Sequence, residues 1–87
     1  MATDGAGPPL LTVYGRSYCH LCDEMIAGLA ALQAKWRFAF EVLDVDEDPA
    51  LEARYGELVP VLVHGSRELC HYHLDGAALT AYLAEIG

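Results

Sequence analysis

Two cysteines in the order Cys19-His20-Leu21-Cys22 stand where a short β-prone run gives way to a helical one, and this junction constrains the fold more than any other feature of the chain. The run Leu10-Leu11-Thr12-Val13-Tyr14, closed by Gly15, has the length and side chains of a buried strand. From Cys22 the apolar residues Cys22, Met25, Ile26, Leu29, Leu32 and Trp36 recur at three- and four-residue steps, which predicts a helix with one face on a core. Asp23 and Glu24 in its first turn, with Lys35 and Arg37 at its end, complement the helix dipole. A second strand is expected over Phe38–Val45, with apolar weight on both faces. Asp48-Pro49 then supplies an N-cap and a first-turn proline to a short helix that carries Leu51 and Tyr55 and stops at Gly56. Val59-Pro60 leads into a third strand, Val61–His64; Gly65-Ser66 turns the chain, and Glu68–Tyr72 returns as its hairpin partner. Asp75 caps a last helix presenting Leu79, Tyr82, Leu83 and Ile86.

The order is therefore β-α-β-α-β-β-α. Strand, helix, strand makes a right-handed parallel unit, and the later hairpin adds an antiparallel pair. The expected fold is α/β, a four-stranded mixed sheet with helices on both faces. Its first helix begins where the first strand ends, the place where open α/β sheets carry their active sites. The length of 87 residues leaves room for one domain, expected over residues 10–87, with residues 1–9 as a disordered N-terminal tail. Met1–Pro9 has neither Lys nor Arg and no apolar centre, unlike a signal peptide. No apolar run approaches the roughly 20 residues of a membrane span, so a cytoplasmic location is expected.

Thirteen acidic residues against five basic ones give a net charge of −8, which argues against nucleic acid as a partner. The acidic run Glu41, Asp44, Asp46, Glu47, Asp48 lacks the ligand pattern and the glycine of a calcium loop, and is expected to be a solvated segment. Three cysteines cannot all pair with one another. In a chain without a secretion signal, the Cys19/Cys22 spacing points to redox chemistry or to metal binding.

Thiol exchange needs a thiolate that a disulfide can reach and a second thiol to release the product. Cys19 sits at a helix N-terminus, where free backbone N–H groups favour negative charge; cysteines so placed have pKa values lowered from about 8.5 to between ~3.5 and ~7.5. Arg16 and a protonated His20 push the same way, and Asp23 and Glu24 oppose them. Cys22, one turn further in and on the apolar stripe, suits the resolving role. The rival reading is a small protein binding zinc or another metal through Cys19, Cys22 and the Cys70–His73 segment, since Cys70, His71 and His73 are ligand types for a tetrahedral site. The plainer reading of that segment is a half-buried thiol and two strand-end histidines.

Over roughly residues 10–86 the chain resembles the small glutaredoxin-like proteins of the thioredoxin superfamily. The resemblance rests on Val13-Tyr14-Gly15-Arg16-Ser17-Tyr18-Cys19-His20-Leu21-Cys22, on Val59-Pro60-Val61-Leu62, on Gly65, and on Asp48-Pro49 through Tyr55-Gly56. It implies a thioredoxin-like fold and a disulfide reductase with Cys19 as nucleophile and Cys22 as resolving cysteine. It further implies a cis Val59–Pro60 bond beside the dithiol, with Val59 and Pro60 meeting substrate backbone. Arg16 stands where those proteins have a lysine that meets a substrate carboxylate, and Asp75 matches the acidic residue that holds the glutathione amine. The partners implied are disulfide-containing proteins or small molecules, with glutathione or a dithiol reductase system as electron donor, acting on a monomer with no metal and no resident cofactor. Two departures bear on this. Pro-Tyr between the cysteines is His20-Leu21 here, and the Gly-Gly before the last helix is replaced around Cys70-His71-Tyr72-His73. Side chains in that segment are expected to make glutathione mixed disulfides poorer substrates than they are for ordinary glutaredoxins.

Overall fold

A computed structural model describes residues 7–86. The chain runs β1 (Leu10–Gly15), α1 (His20–Leu32), β2 (Ala39–Asp44), a 3-10 turn at Val45–Glu47, α2 (Pro49–Tyr55), β3 (Val61–His64), β4 (Arg67–His71) and α3 (Gly76–Ile86). The strands form one mixed sheet in the order β2-β1-β3-β4. β1 pairs in parallel with β2 and antiparallel with β3, and β3 pairs antiparallel with β4. Among the described residues no helix is long and apolar enough to cross a membrane. The expected tail falls mainly on residues 1–6, outside the described residues; the Pro9 carbonyl already accepts the Ala39 N–H at 2.9 Å.

Strand side chains alternate between faces, and that alternation divides the interior in two. Leu11, Val13 and Leu62 face one side, where Met25 and Leu29 of α1 and Leu79 and Leu83 of α3 cover them together with Phe38. Val61 and Val63 face the other, against Val45 and Tyr55, with Tyr14 and Leu51 packed alongside. The Tyr14 and Tyr55 rings stack there at 4.4 Å. Helices thus lie on both faces, α1 and α3 on one and α2 on the other.

Strand register brings several chain ends together. Gly15 is opposite Asp44, Tyr14 opposite Val61, and Val61 opposite His71. The last residues of β1, β2 and β4 and the first of β3 therefore share one end of the sheet, and α1 starts from that end.

Several boundaries differ from expectation. α1 stops at Leu32, so Lys35 and Arg37 lie beyond its last turn. The Ala34 and Lys35 N–H groups bond to the Ala31 and Leu32 carbonyls, which tightens the chain into a turn, and the Gln33 side-chain amide donates to the Phe38 carbonyl at 3.0 Å. Trp36 packs against the larger core from this connection, not from the helix. β2 ends one residue early because the Asp44 carboxylate takes the Asp46 N–H at 2.8 Å and turns Val45 inward. The returning strand spans Arg67–His71, leaving Tyr72 outside it, and Ile86 is exposed. Gly65 makes the hairpin turn at φ +62°, a conformation open to glycine.

Candidate functional site

Cys19 is the N-cap of α1. Its backbone is extended, its carbonyl accepts the Asp23 N–H, and its Sγ accepts the Cys22 N–H at 3.1 Å. A sulfur so placed receives a hydrogen bond that the first helical turn would otherwise leave unmade. Cys22, one turn on, is only 3% exposed, whereas Cys19 is half-buried. The two sulfurs are joined as a disulfide, with the Cα atoms 5.1 Å apart. Strand β1 ends beneath them at Gly15, where a Cβ would stand 3.1 Å from the Cys22 sulfur, so the absence of a side chain lets the strand end lie under the dithiol. Tyr18, immediately before Cys19, is fully exposed and holds φ +59°. This left-handed residue turns the loop into the extended N-cap, at a strain that glycine would not carry.

The other residues marked in the sequence take varied places. The Arg16 guanidinium is turned toward α2, donating to the Glu52 carboxylate at 3.0 Å and to the Gly56 carbonyl at 3.1 Å, with Asp46 at 3.8 Å. It clamps the loop before Cys19 to the C-terminal end of α2. The Val59–Pro60 bond is cis. Pro60 is buried at the start of β3, at the same end of the sheet as Gly15, and its carbonyl accepts the Tyr72 N–H at 2.8 Å. Val59 packs partly buried on the smaller core. The Asp75 carboxylate accepts the Ala78 N–H at 2.9 Å and so caps α3. Tyr72 lies in the segment that replaces the expected glycine pair; it is at φ +64°, and its hydroxyl donates to the Glu57 carbonyl at 3.1 Å.

Cys70 lies in β4 opposite Leu62 and packs on the larger core. Burial pushes its thiol above the ordinary value, and the nearby Asp75 and Glu68 charges add to this, while a hydrogen bond with the Asp75 backbone pulls the other way. A cleft of about 640 Å³ opens beside it, lined by Glu68, His71, His73 and Asp75. His71 Nδ1 is 2.8 Å from the Glu68 carboxylate. Among the described residues no three His, Cys, Asp or Glu side chains converge on a position that could hold a metal ion.

One feature of this end of the molecule is not marked by any motif. A cleft of about 240 Å³ opens on Cys22 between α1 and β2, with Ile26 and Val42 on its walls and Arg16, Asp23 and Asp44 as its charged residues. Ile26 belongs to the helical repeat, but it falls outside the larger core. Val42 lies on the edge strand and is 47% exposed. The only signal in the sequence is the apolar weight on both faces of β2.

Comparison with known proteins places this geometry among relatives. The model of the glutaredoxin-like domain (DUF836) matches residues 10–84. The solution structure of protein Ne2328 from Nitrosomonas europaea is similar at 47% identity, covering 95% of this chain and 99% of that one, with a TM-score of 0.80. The X-ray structure of a structural-genomics target protein from X. campestris is 42% identical over 86% of this chain and 96% of its own, with a TM-score of 0.70. The germline-specific thioredoxin Deadhead of Drosophila melanogaster, 23% identical, shares the fold at a TM-score of 0.58 over 93% of this chain and 83% of its own. The sheet and its three helices are thus a thioredoxin-like fold.

Proposed function

The chain belongs to the glutaredoxin-like domain family, and with that as premise we propose that it is a thiol–disulfide oxidoreductase that reduces protein or small-molecule disulfides through Cys19 and Cys22. The observation that carries this reading is the asymmetry of the pair: Cys19 caps α1 and is partly open, while Cys22 is buried behind it at bonding distance.

The reaction divides between the two sulfurs. In the dithiol form the Cys19 thiolate, stabilised by the Cys22 N–H and the helix N-terminus, attacks one sulfur of the substrate disulfide. A Cys19–substrate bond forms, the substrate S–S bond breaks, and the departing thiolate takes a proton. Cys22 then attacks the Cys19 sulfur, expels the second substrate thiol and closes the Cys19–Cys22 disulfide. Two electrons and two protons have passed to the substrate, and an external dithiol or glutathione restores the pair. The second attack is intramolecular, which gives it a large advantage in effective concentration.

Val59 and Pro60 support docking of an extended substrate, being at the same end of the sheet as the dithiol. Arg16 and Asp75 are proposed to meet charged groups of the substrate. Both already have internal partners, so a glutathione carboxylate would compete with Glu52 for Arg16, and its amine would compete with the α3 cap for Asp75. Protein disulfides reduced by a dithiol system fit this arrangement better than glutathione mixed disulfides do.

The test is a pair of serine variants assayed with a protein disulfide. Cys19→Ser is expected to abolish reduction, and Cys22→Ser to accumulate a mixed disulfide on Cys19, seen as a substrate-sized mass increment removed by excess dithiol. Adducts on Cys22 in the Cys19→Ser protein, with reduction retained, would overturn the assignment.

A further inference from the structure

We infer that the physiological substrate of the dithiol, on the redox reading above, is a protein whose cysteine lies in a positively charged segment with an apolar neighbour, and that the cleft between α1 and β2 seats this segment. Three observations on different elements carry the inference.

The first is position. The cleft opens on Cys22, so whatever fills it lies against the buried sulfur, one bond from Cys19. Its apolar walls, Ile26 and Val42, fit a single aliphatic or aromatic side chain. Tyr18, fully exposed beside Cys19, offers the kind of aromatic surface that anchors protein contacts.

The second is the distribution of charge. Asp23 and Asp44 flank the cleft; Arg16 also lines it, but its guanidinium is paired with Glu52 and Asp46. Asp46, Glu47 and Asp48 follow at the same end of the sheet. Three of the five cations lie at the opposite end: Lys35 and Arg37 after α1, and Arg67 at the start of β4, over the Tyr82 ring. The remaining two are engaged, Arg16 with Glu52 and Asp46, and Arg54 over the Tyr55 ring. The six residues of β1 separate the two ends by roughly 17–20 Å, about twice the ~8 Å screening length at physiological ionic strength. An approaching partner therefore meets the local acidic field and not an average over the molecule.

The third is the state of Asp23. Asp46 is paired with Arg16, Asp44 and Asp48 each accept a backbone N–H, but exposed Asp23 enters none of the ion pairs among the described residues. Asp44 likewise has no cation partner among the described residues, but it is half-buried and committed to the Asp46 N–H, which leaves exposed Asp23 the freer of the two cleft carboxylates to meet a cation from outside.

The experiment uses the pre-reduced protein in single turnover, so that its own dithiol supplies both electrons. Two disulfide-linked peptide dimers are compared, identical in length and in a leucine beside the cysteine, one flanked by lysines and the other by glutamates. A neutral aromatic disulfide and glutathione disulfide serve as further probes. At about 0.01 M ionic strength the lysine peptide is expected to react about tenfold faster or more, since steering of this kind raises on-rates by ~10 to 10³. The preference should collapse toward about twofold at about 1 M, where charges are felt over only ~3 Å. Asp23→Lys should reduce the lysine-to-glutamate rate ratio severalfold, and Asp23→Asn by less. Glu85→Lys, which changes net charge equally at the opposite end, should leave it in place. The ratio is the readout because any change in Cys19 reactivity cancels from it. A ratio within about twofold at low salt, an equal effect of Glu85→Lys, or glutathione disulfide outrunning the lysine peptide would overturn the inference. Failure to reduce any probe, the neutral disulfide included, would instead overturn the redox reading on which it rests.

Discussion

The three thiols of this chain sit in three environments, and their environments set what each can do. Cys19 has a helix terminus and a hydrogen bond from Cys22 N–H; Cys22 has burial and a bonded sulfur; Cys70, outside any disulfide, is half-buried against the larger core. Desolvation raises Cys70 above its ordinary 9.0, so the folded protein keeps this proton at pH values where the unfolded chain loses it. The stability it contributes is complete below about pH 9 and is lost as pH climbs through the folded value. Two outcomes are expected. Alkylation of the reduced protein near pH 8 labels Cys19 and spares Cys70, because only the thiolate reacts. The urea midpoint of the wild type falls more steeply above about pH 9 than that of Cys70→Ala. Prompt labelling of Cys70, or parallel pH profiles, would show that this thiol is not held in its protonated form.

Elements differ in how openly the sequence declares them. α2 is legible to the residue, from the Asp48 cap through Pro49 to Gly56, because its stop and start signals are local side-chain chemistry. The end of α1 is not, since Leu32 and Trp36 keep the helical spacing while the Gln33 bond to Phe38 and the tightening turn end the helix first. The Cys19/Cys22 pair is legible for the same reason as α2: its place at a strand-to-helix junction is written in local sequence, and the structure joins the two sulfurs there. The Arg16 clamp and the cleft at Val42 are not legible, because each depends on residues about twenty to forty positions apart meeting across the fold. Between β4 and α3, Tyr72 occupies a left-handed position that glycine would fill without strain. Tyr72→Gly removes that strain, of order 1–2 kcal/mol, along with a hydroxyl bond of about 1 kcal/mol, so stability should change little. Glutathione-coupled turnover should rise severalfold if this side chain is what bars the tripeptide. Unchanged turnover in a protein of unchanged melting temperature would move the obstacle to Arg16 or Asp75.

The molecule as a whole is built on two unequal interiors. Eight buried residues join α1 and α3 to one face of the sheet, whereas four join α2 and the 3-10 turn to the other. Proteins open in parts before they open entirely, and the part with less buried apolar surface opens first. Native-state hydrogen exchange on the oxidised protein is therefore expected to show the amides of α2 trading with solvent by a low-energy, sub-global opening, and those of α1 and β3 only near global unfolding. Identical exchange free energies for α1 and α2 would mean one cooperative unit and would sink the distinction. The Arg16 clamp gives this difference a further meaning. Cys22 is buried in α1, on the side expected to exchange slowly, but the loop that leads into Cys19 is fastened by Glu52 and Gly56 to α2, the side expected to exchange fast. On that expectation each excursion of α2 would loosen the fastening on one sulfur's approach while the other stays fixed, and the two members of a single covalent bond would report on different tiers of the protein's unfolding hierarchy.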